Sequence, residues 1–167
     1  MTGRQDRADT TNPAKPGMDG AALSQALGID YPVLLEADLA VIETSLRALA
    51  QGGFDDPAVW AALYGRLHDV KGQGGSFDYA LVTDIAQQAC QLLRAINRDF
   101  DLRRRASEAL LTSLGHQVAA LRLIARYRLT GDGGARGAQL LDGLRTNAAG
   151  LRQTLGIDAP PEERSDD

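Results

Sequence analysis

The sequence has one cysteine, few aromatic residues and no long apolar run. Cys90 has no second cysteine with which to form an internal disulfide, so we expect a small core or boundary residue. Aromatic residues make up 5% of the chain, while alanine and leucine are abundant, which favours helices over strands. No segment approaches the roughly 20 apolar residues of a membrane span, and the polar N-terminus lacks a hydrophobic signal region. We therefore expect a helical, cytoplasmic protein without a membrane partner.

The sequence also lacks the signature motifs of several functional classes. The net charge of -4 and the absence of a concentrated basic surface argue against binding to nucleic acid. The chain has no glycine-rich nucleotide loop, no serine or cysteine nucleophile beside a base, and no paired acids at a recognisable spacing. Its two histidines, His68 and His116, have no carboxylate or cysteine companions at ligand spacing, so we predict no metal site.

Apolar residues recur every three to four positions through most of the chain, which predicts an all-α fold. Four helices are expected over about residues 32–51, 57–75, 78–97 and 102–129. Their short connections favour an antiparallel up-down four-helix bundle, with an additional C-terminal helix that ends near Gly156. The segment 20–27 is compatible with a short N-terminal helix stopped by Gly28. We assign residues 19–156 to one domain, with disordered tails at 1–18 and 157–167.

Two local signals mark helix starts within this pattern. Asp56 followed by Pro57 combines a capping acid with proline at the first helical position. Asp78 follows the glycines and serine that interrupt the second helix, and we expect its side chain to cap the third.

The stretch from Leu67 to Phe77 contains the main candidate for chemistry. If it is helical, His68 shares a surface with residues three, four and seven positions away. These neighbours include Tyr64, Gly65, Lys71, Gly72 and Gly75. A glycine inside a helix costs about 1 kcal/mol relative to alanine, and three of them surround one histidine. This pattern predicts an imidazole that is left clear for a partner.

The residue types at this surface suit phosphoryl transfer. Free histidine has a reference pKa of about 6.5, so an exposed imidazole is largely neutral near pH 7 and has a nucleophilic lone pair. Lys71 follows one turn later and supplies a cation that can balance the charge on phosphoryl oxygens. We predict His68 as a phosphoacceptor and Lys71 as its catalytic companion.

The stretch resembles the histidine-containing phosphotransfer (HPt) domain of two-component signalling. The family motif His-x-x-Lys-Gly reads here as His68 to Gly72, followed by small residues and Phe77. The run is especially similar to the first domain of chemotaxis histidine kinases. That branch usually has glycine where this chain has Asp78, and a glutamate 22 residues after the histidine, where this chain has Cys90.

The resemblance implies a phosphocarrier. His68 would accept and donate a phosphoryl group between receiver-domain aspartates, or from a hybrid histidine kinase to a response regulator. Lys71 would help neutralise that group, and Gly72 and Gly75 would permit close approach of the receiver. The protein would need no cofactor of its own, because Mg²⁺ would be held by the partner receiver domain. It would be a monomeric intermediate without a kinase or nucleotide-binding domain.

The partner surface is expected to include residues from the helix after the motif. In a bundle this helix lies beside the motif helix, so Asp84, Gln87, Gln88 and Gln91 are candidates to flank His68. We assign Tyr64, Gly65, Gly72, Gly75, Gln87 and Gln91 to partner binding. Spacing does not decide whether Asp84, Gln87, Gln88 or Gln91 reaches the imidazole.

Other interpretations stay open at this stage. His68 would be an ordinary surface histidine if its neighbours had no role, or the chain would be a regulatory module that binds receivers or kinases without carrying phosphate. The dimerisation domain of sensor kinases fits less well, because no proline follows the histidine. His116 lacks both the lysine and the glycine face, so we expect it to be solvent-facing or partly packed. The cognate kinase, the regulator and the direction of transfer are not specified.

Overall fold

The chain folds into an all-α bundle, as the sequence predicts. The structure is a computed structural model that describes residue 22 and residues 26–157. Within that part of the chain the helices are α1 (Tyr31–Ala50), α2 (Pro57–Ser76), α3 (Ala80–Asn97), α4 (Phe100–Tyr127) and α5 (Gly134–Leu155), with a short 3₁₀ helix at Gly53–Asp55. The predicted tail 1–18, most of the tail 157–167 and most of the helix over 20–27 lie outside the described residues. Positions 22, 26 and 27 are helical.

The first four helices pack in a closed ring, each against the next, and α4 returns to pack against α1. Side-chain pairs show that α1 and α4 are antiparallel. Asp30 at the start of α1 pairs with Arg128 just after α4, while Glu43, more than three turns along α1, pairs with Arg122. Helix α5 lies outside this ring and packs against α3 and α4.

The motif helix α2 begins where the sequence predicts. The Asp56 side chain accepts a hydrogen bond from the backbone N–H of Ala58 at 2.8 Å, and Pro57 is the first helical residue. This cap satisfies one of the N–H groups that a helix start leaves without a partner. Helix α4 starts two residues earlier than predicted because Asp99 caps it, and it continues unbroken to Tyr127.

The predicted cap at Asp78 is wrong. Asp78 is exposed, its φ is 62°, and the capping position of α3 belongs to Tyr79, whose side chain makes no capping hydrogen bond. Only residues 77–79 join α2 to α3, so the chain reverses direction through a left-handed residue. The extended conformation that a capping side chain needs is therefore lost at this position.

The core contains one face of each helix in the ring. From α2 it receives Trp60, Leu63, Leu67 and Val70, which are at most 2% exposed. Burial of each such side chain contributes about 1.5 to 3 kcal/mol, so the rotation of α2 about its axis is firmly set. In the part of the chain that the structure describes, none of the helices combines the length and apolar character that a membrane span requires.

Candidate functional site

His68 is exposed on α2 because the apolar side chains next to it in the sequence are packed in the core. Leu67 and Val70 are buried, whereas His68 lies about 100° around the helix from Leu67 and is exposed. A rotation that buried the imidazole would bring these two apolar side chains out of the core. The exposed position of His68 is therefore a consequence of the apolar stripe of α2.

The ring of Tyr64, one turn before His68, lies against the imidazole. Their centroids are 6.1 Å apart and their planes differ by 28°. On α3, the guanidinium carbon of Arg94 lies 5.2 Å from the centre of the same Tyr64 ring. The half-buried Tyr64 thus has a cation from α3 and the imidazole of His68 as neighbours.

The sequence analysis did not identify Arg94 as part of this site. Arg94 lies 26 residues after His68, and only the register between α2 and α3 brings it to Tyr64. A pattern read along a single helix contains no information on that register.

Lys71 is half-buried, one turn after His68, at the boundary between α2 and α3. Its backbone carbonyl accepts a hydrogen bond from the Thr83 hydroxyl at 3.0 Å, which ties this turn of α2 to α3. Burial raises the pKa of the Cys90 thiol to about 11, while the positive charges of Lys71 and Arg94 oppose that rise. Cys90 is therefore an inert core thiol that lies close to both cations of the site.

The glycines near His68 differ in whether the surrounding structure leaves room for a side chain. A Cβ atom built on Gly65 or Gly72 would meet no other heavy atom within 4 Å, and one on Gly75 would meet only the Thr83 hydroxyl, at 3.7 Å. Internal packing therefore does not require glycine at these three positions. Gly74 is different, because its Cβ would lie 2.7 Å from the Thr83 hydroxyl and 2.9 Å from the Thr83 backbone nitrogen.

Gln87 and Gln91 lie on the outer side of α3. With Asp84 and Gln88 they form one wall of a groove of about 360 Å³, and the opposite wall belongs to α5, where it includes Arg145 and Arg152. The ring contact from α3 to the His68 surface comes from Arg94. Partner binding by Gln87 and Gln91 stays a prediction.

The remaining candidates for chemistry are the second histidine and groups of potential metal ligands. His116 is exposed on α4. Among residues 22 and 26–157, no three or more histidine, cysteine, aspartate or glutamate side chains are grouped so that they could hold a metal ion.

Comparisons with family models, with curated proteins and with solved structures give no match. The functional argument therefore depends on the chemistry of the site. That site comprises an exposed imidazole, an aromatic ring beside it, cations on α2 and α3, and a surface that glycines leave flat. This arrangement provides a nucleophile that a large partner can reach, and Lys71, one turn away, provides positive charge for an anionic group.

Proposed function

We propose that the protein is a histidine phosphotransfer protein in which His68 carries a phosphoryl group between two-component signalling proteins. The observation that supports this most directly is the exposed His68 on α2, with Lys71 one turn away and open space at Gly65 and Gly72. A histidine held only for packing would be buried, and a helix without a close partner would not need its glycines there.

The transfer forms and breaks one bond at phosphorus. A ring nitrogen of His68 attacks the phosphorus of a receiver aspartyl phosphate with its lone pair, and an N–P bond forms. The P–O bond to the donor breaks, and its electron pair leaves on the aspartate carboxylate. The proton on the second ring nitrogen stays in place. In the return step the carboxylate of the next receiver attacks phosphorus, and the N–P electron pair returns to the imidazole.

The charge of Lys71 supports this chemistry. In the part of the chain that the structure describes, the salt bridges to carboxylates involve Arg66, Arg104, Arg122 and Arg128, and Lys71 forms none. Its ammonium is therefore available to an incoming anion. Two unit charges 4 Å apart interact by about 1 kcal/mol in water and about 4 kcal/mol near a protein surface, enough to favour a bound phosphoryl group.

The proposal assigns the metal to the partner. Phosphoryl transfer between such proteins uses Mg²⁺, which binds oxygen ligands, and the receiver domain would provide them. The protein itself would be a phosphocarrier with no turnover alone. We propose that it acts as a monomer, since the ring of four helices is closed within one chain. We also propose that it is located in the cytoplasm with its signalling partners.

The direct test is transfer of label from phosphorylated receiver domains of the same organism, with Mg²⁺ present. Wild type is expected to gain a label that acid removes and base leaves intact, as for phosphohistidine. His68→Gln is expected to gain none while its melting temperature stays within a few degrees of wild type, because the side chain is exposed.

His116→Gln is the matched control, since His116 is the other exposed histidine of the chain. It should take up label as wild type does. Binding of a receiver without any label on wild type would contradict the carrier mechanism and favour a regulatory module that binds receivers or kinases without phosphate. Loss of label from both variants would point away from His68 as the acceptor.

A further inference from the structure

Arg94 combines an exposed position with an aromatic support beside the phosphoacceptor. Its guanidinium lies over the Tyr64 ring at 5.2 Å, and Tyr64 lies against His68. A cation over an aromatic face gains about 0.5 to 1 kcal/mol at an exposed site. The Arg94 side chain is therefore held in one region of the surface without forming a salt bridge to a carboxylate.

Arg94 differs from the arginines of the bundle that form salt bridges, because its charge is not neutralised by a carboxylate in the described part of the chain. Arg66 pairs with Asp38 at 3.1 Å, and Arg128 pairs with Asp30 at 2.7 Å. Arg122 bonds both Glu36 and Glu43. Arg94 has no carboxylate partner among the described residues. Two cations without carboxylate partners, Lys71 and Arg94, thus lie near His68, one on each helix.

A groove beside Arg94 gives a partner room to approach. It has a volume of about 400 Å³ and lies between the first half of α2 and the last half of α3. Trp60 and Leu93, both buried, contribute to its floor, while Arg94 and Asn97 line it from α3. Tyr64 also lines this groove, so the groove is continuous with the ring that contacts His68.

We propose that Arg94 is a specificity-determining residue that pairs with a carboxylate on the magnesium-holding face of the receiver domain and so orients that domain over His68. This inference rests on the proposed function. A receiver that binds Mg²⁺ must present oxygen ligands, most of them carboxylates, at the edge of its phosphorylation site. That edge faces His68 during transfer, and a cation one aromatic ring away from the imidazole complements its charge.

The inference predicts an effect on the partner and not on the chemistry of the imidazole. Phosphoramidate, a small donor, phosphorylates an accessible histidine directly: the ring nitrogen attacks phosphorus, the donor P–N bond breaks, and ammonia leaves with the electron pair. This reaction involves no receiver. Arg94→Gln should leave its rate within about twofold of wild type, while kcat/KM for transfer from a phospho-receiver falls about fivefold to tenfold, mainly through KM.

The experiment compares wild type, Arg94→Gln, Arg94→Glu and Arg98→Gln at two salt concentrations. Arg98 is the matched control, an exposed arginine that follows directly after the end of α3. Arg94→Glu should lower kcat/KM by more than tenfold, and Arg98→Gln by less than twofold. Transfer to Arg94→Gln should also depend less on salt than transfer to wild type, because one charge pair is missing.

The outcomes separate the inference from the proposed function. If wild type takes label from neither donor, the proposed function fails and the inference fails with it. If wild type is labelled and Arg94→Gln matches it with the receiver, only the inference is wrong. Equal slowing of both reactions in Arg94→Gln would assign Arg94 to the imidazole or to the fold, and would also overturn the inference.

Discussion

The hydroxyl of Thr83 donates a hydrogen bond to the backbone carbonyl of Lys71 at 3.0 Å, and so links the first turn of α3 to the turn of α2 after His68. Thr83 is half-buried and also faces Gly74, whose missing side chain allows the two helices to approach closely. The face of α2 that includes His68 is thus supported from behind by one side-chain hydrogen bond and one glycine.

Thr83→Val is expected to lower the free energy of unfolding by about 1 kcal/mol. Valine keeps the shape of the side chain but removes the hydroxyl, and a partly buried hydrogen bond contributes about this much. Thr83→Ser keeps the hydroxyl donor, so its free energy of unfolding should fall less than that of Thr83→Val. Urea denaturation followed by circular dichroism measures the difference, and equal stability of the two variants would mean that the hydrogen bond contributes nothing.

Gly74→Ala is expected to destabilise the fold by about 2 kcal/mol or more. The new methyl group would meet the backbone nitrogen of Thr83 at 2.9 Å, and backbone has little freedom to move away. The melting temperature should fall accordingly. An unchanged melting temperature would show that α2 and α3 separate easily at this end, contrary to the packing described above.

Gly72→Ala, on the same helix, is expected to stabilise the fold. Nothing lies within 4 Å of its Cβ position, so alanine should raise the free energy of unfolding by about 0.5 to 1 kcal/mol through helix propensity. If a receiver approaches closely here, the methyl group should also lower kcat/KM for phosphotransfer, by about fivefold or more. A more stable variant with unchanged transfer would remove Gly72 from the partner surface.

Hydrophobic periodicity was sufficient to predict the helices and the exposure of His68. The bounds of α1 and α2 fall within a residue of the prediction because Gly52, Gly53, Asp56 and Pro57 interrupt the pattern with strong local signals. The end of α2 could also be predicted from the sequence, because glycines and a serine are clustered there.

Contacts between helices were beyond the reach of this reasoning. Thr83 and Arg94 belong to the site because of the register between α2 and α3, which depends on how complete side chains pack across the bundle. The prediction that Asp78 caps α3 was wrong for a related reason. A capping rule considers one helix, whereas the tight connection between two helices decides the backbone conformation there.

Asp78→Gly is expected to raise the free energy of unfolding by about 0.5 to 1 kcal/mol. Asp78 has a φ of 62°, a left-handed conformation that is costly for residues with a side chain and free of that cost for glycine. Asp84→Gly is the matched control, because Asp84 is an exposed residue inside α3 where glycine should lower stability by a few tenths of a kcal/mol. Denaturant titrations of both variants measure these shifts, and a loss of stability in Asp78→Gly would contradict the assignment of strain to this turn.

The buried thiol of Cys90 should make the stability of the protein fall in alkaline solution. Its pKa rises from an ordinary value of 9.0 to about 11 because burial disfavours the thiolate. Below pH 9 both the folded and the unfolded chain hold the thiol proton, so the full contribution is present. Between pH 9 and 11 the unfolded chain releases that proton first, so the contribution is lost as the pH rises.

Comparison with Cys90→Ala isolates this effect from other groups that titrate in the same range, such as the buried Tyr31, whose pKa is also raised by burial. The alanine variant will differ in absolute stability, so the measured quantity is the change in the free energy of unfolding between pH 7.5 and pH 10.5. Wild type should lose about 2 kcal/mol more than Cys90→Ala over this interval, since each unit of pKa shift corresponds to about 1.4 kcal/mol. Parallel pH profiles would mean that the thiol ionises as readily in the folded chain as in the unfolded one. Cys90 would then have to be open to solvent beside Lys71, which would contradict the packing of α3 against the motif helix.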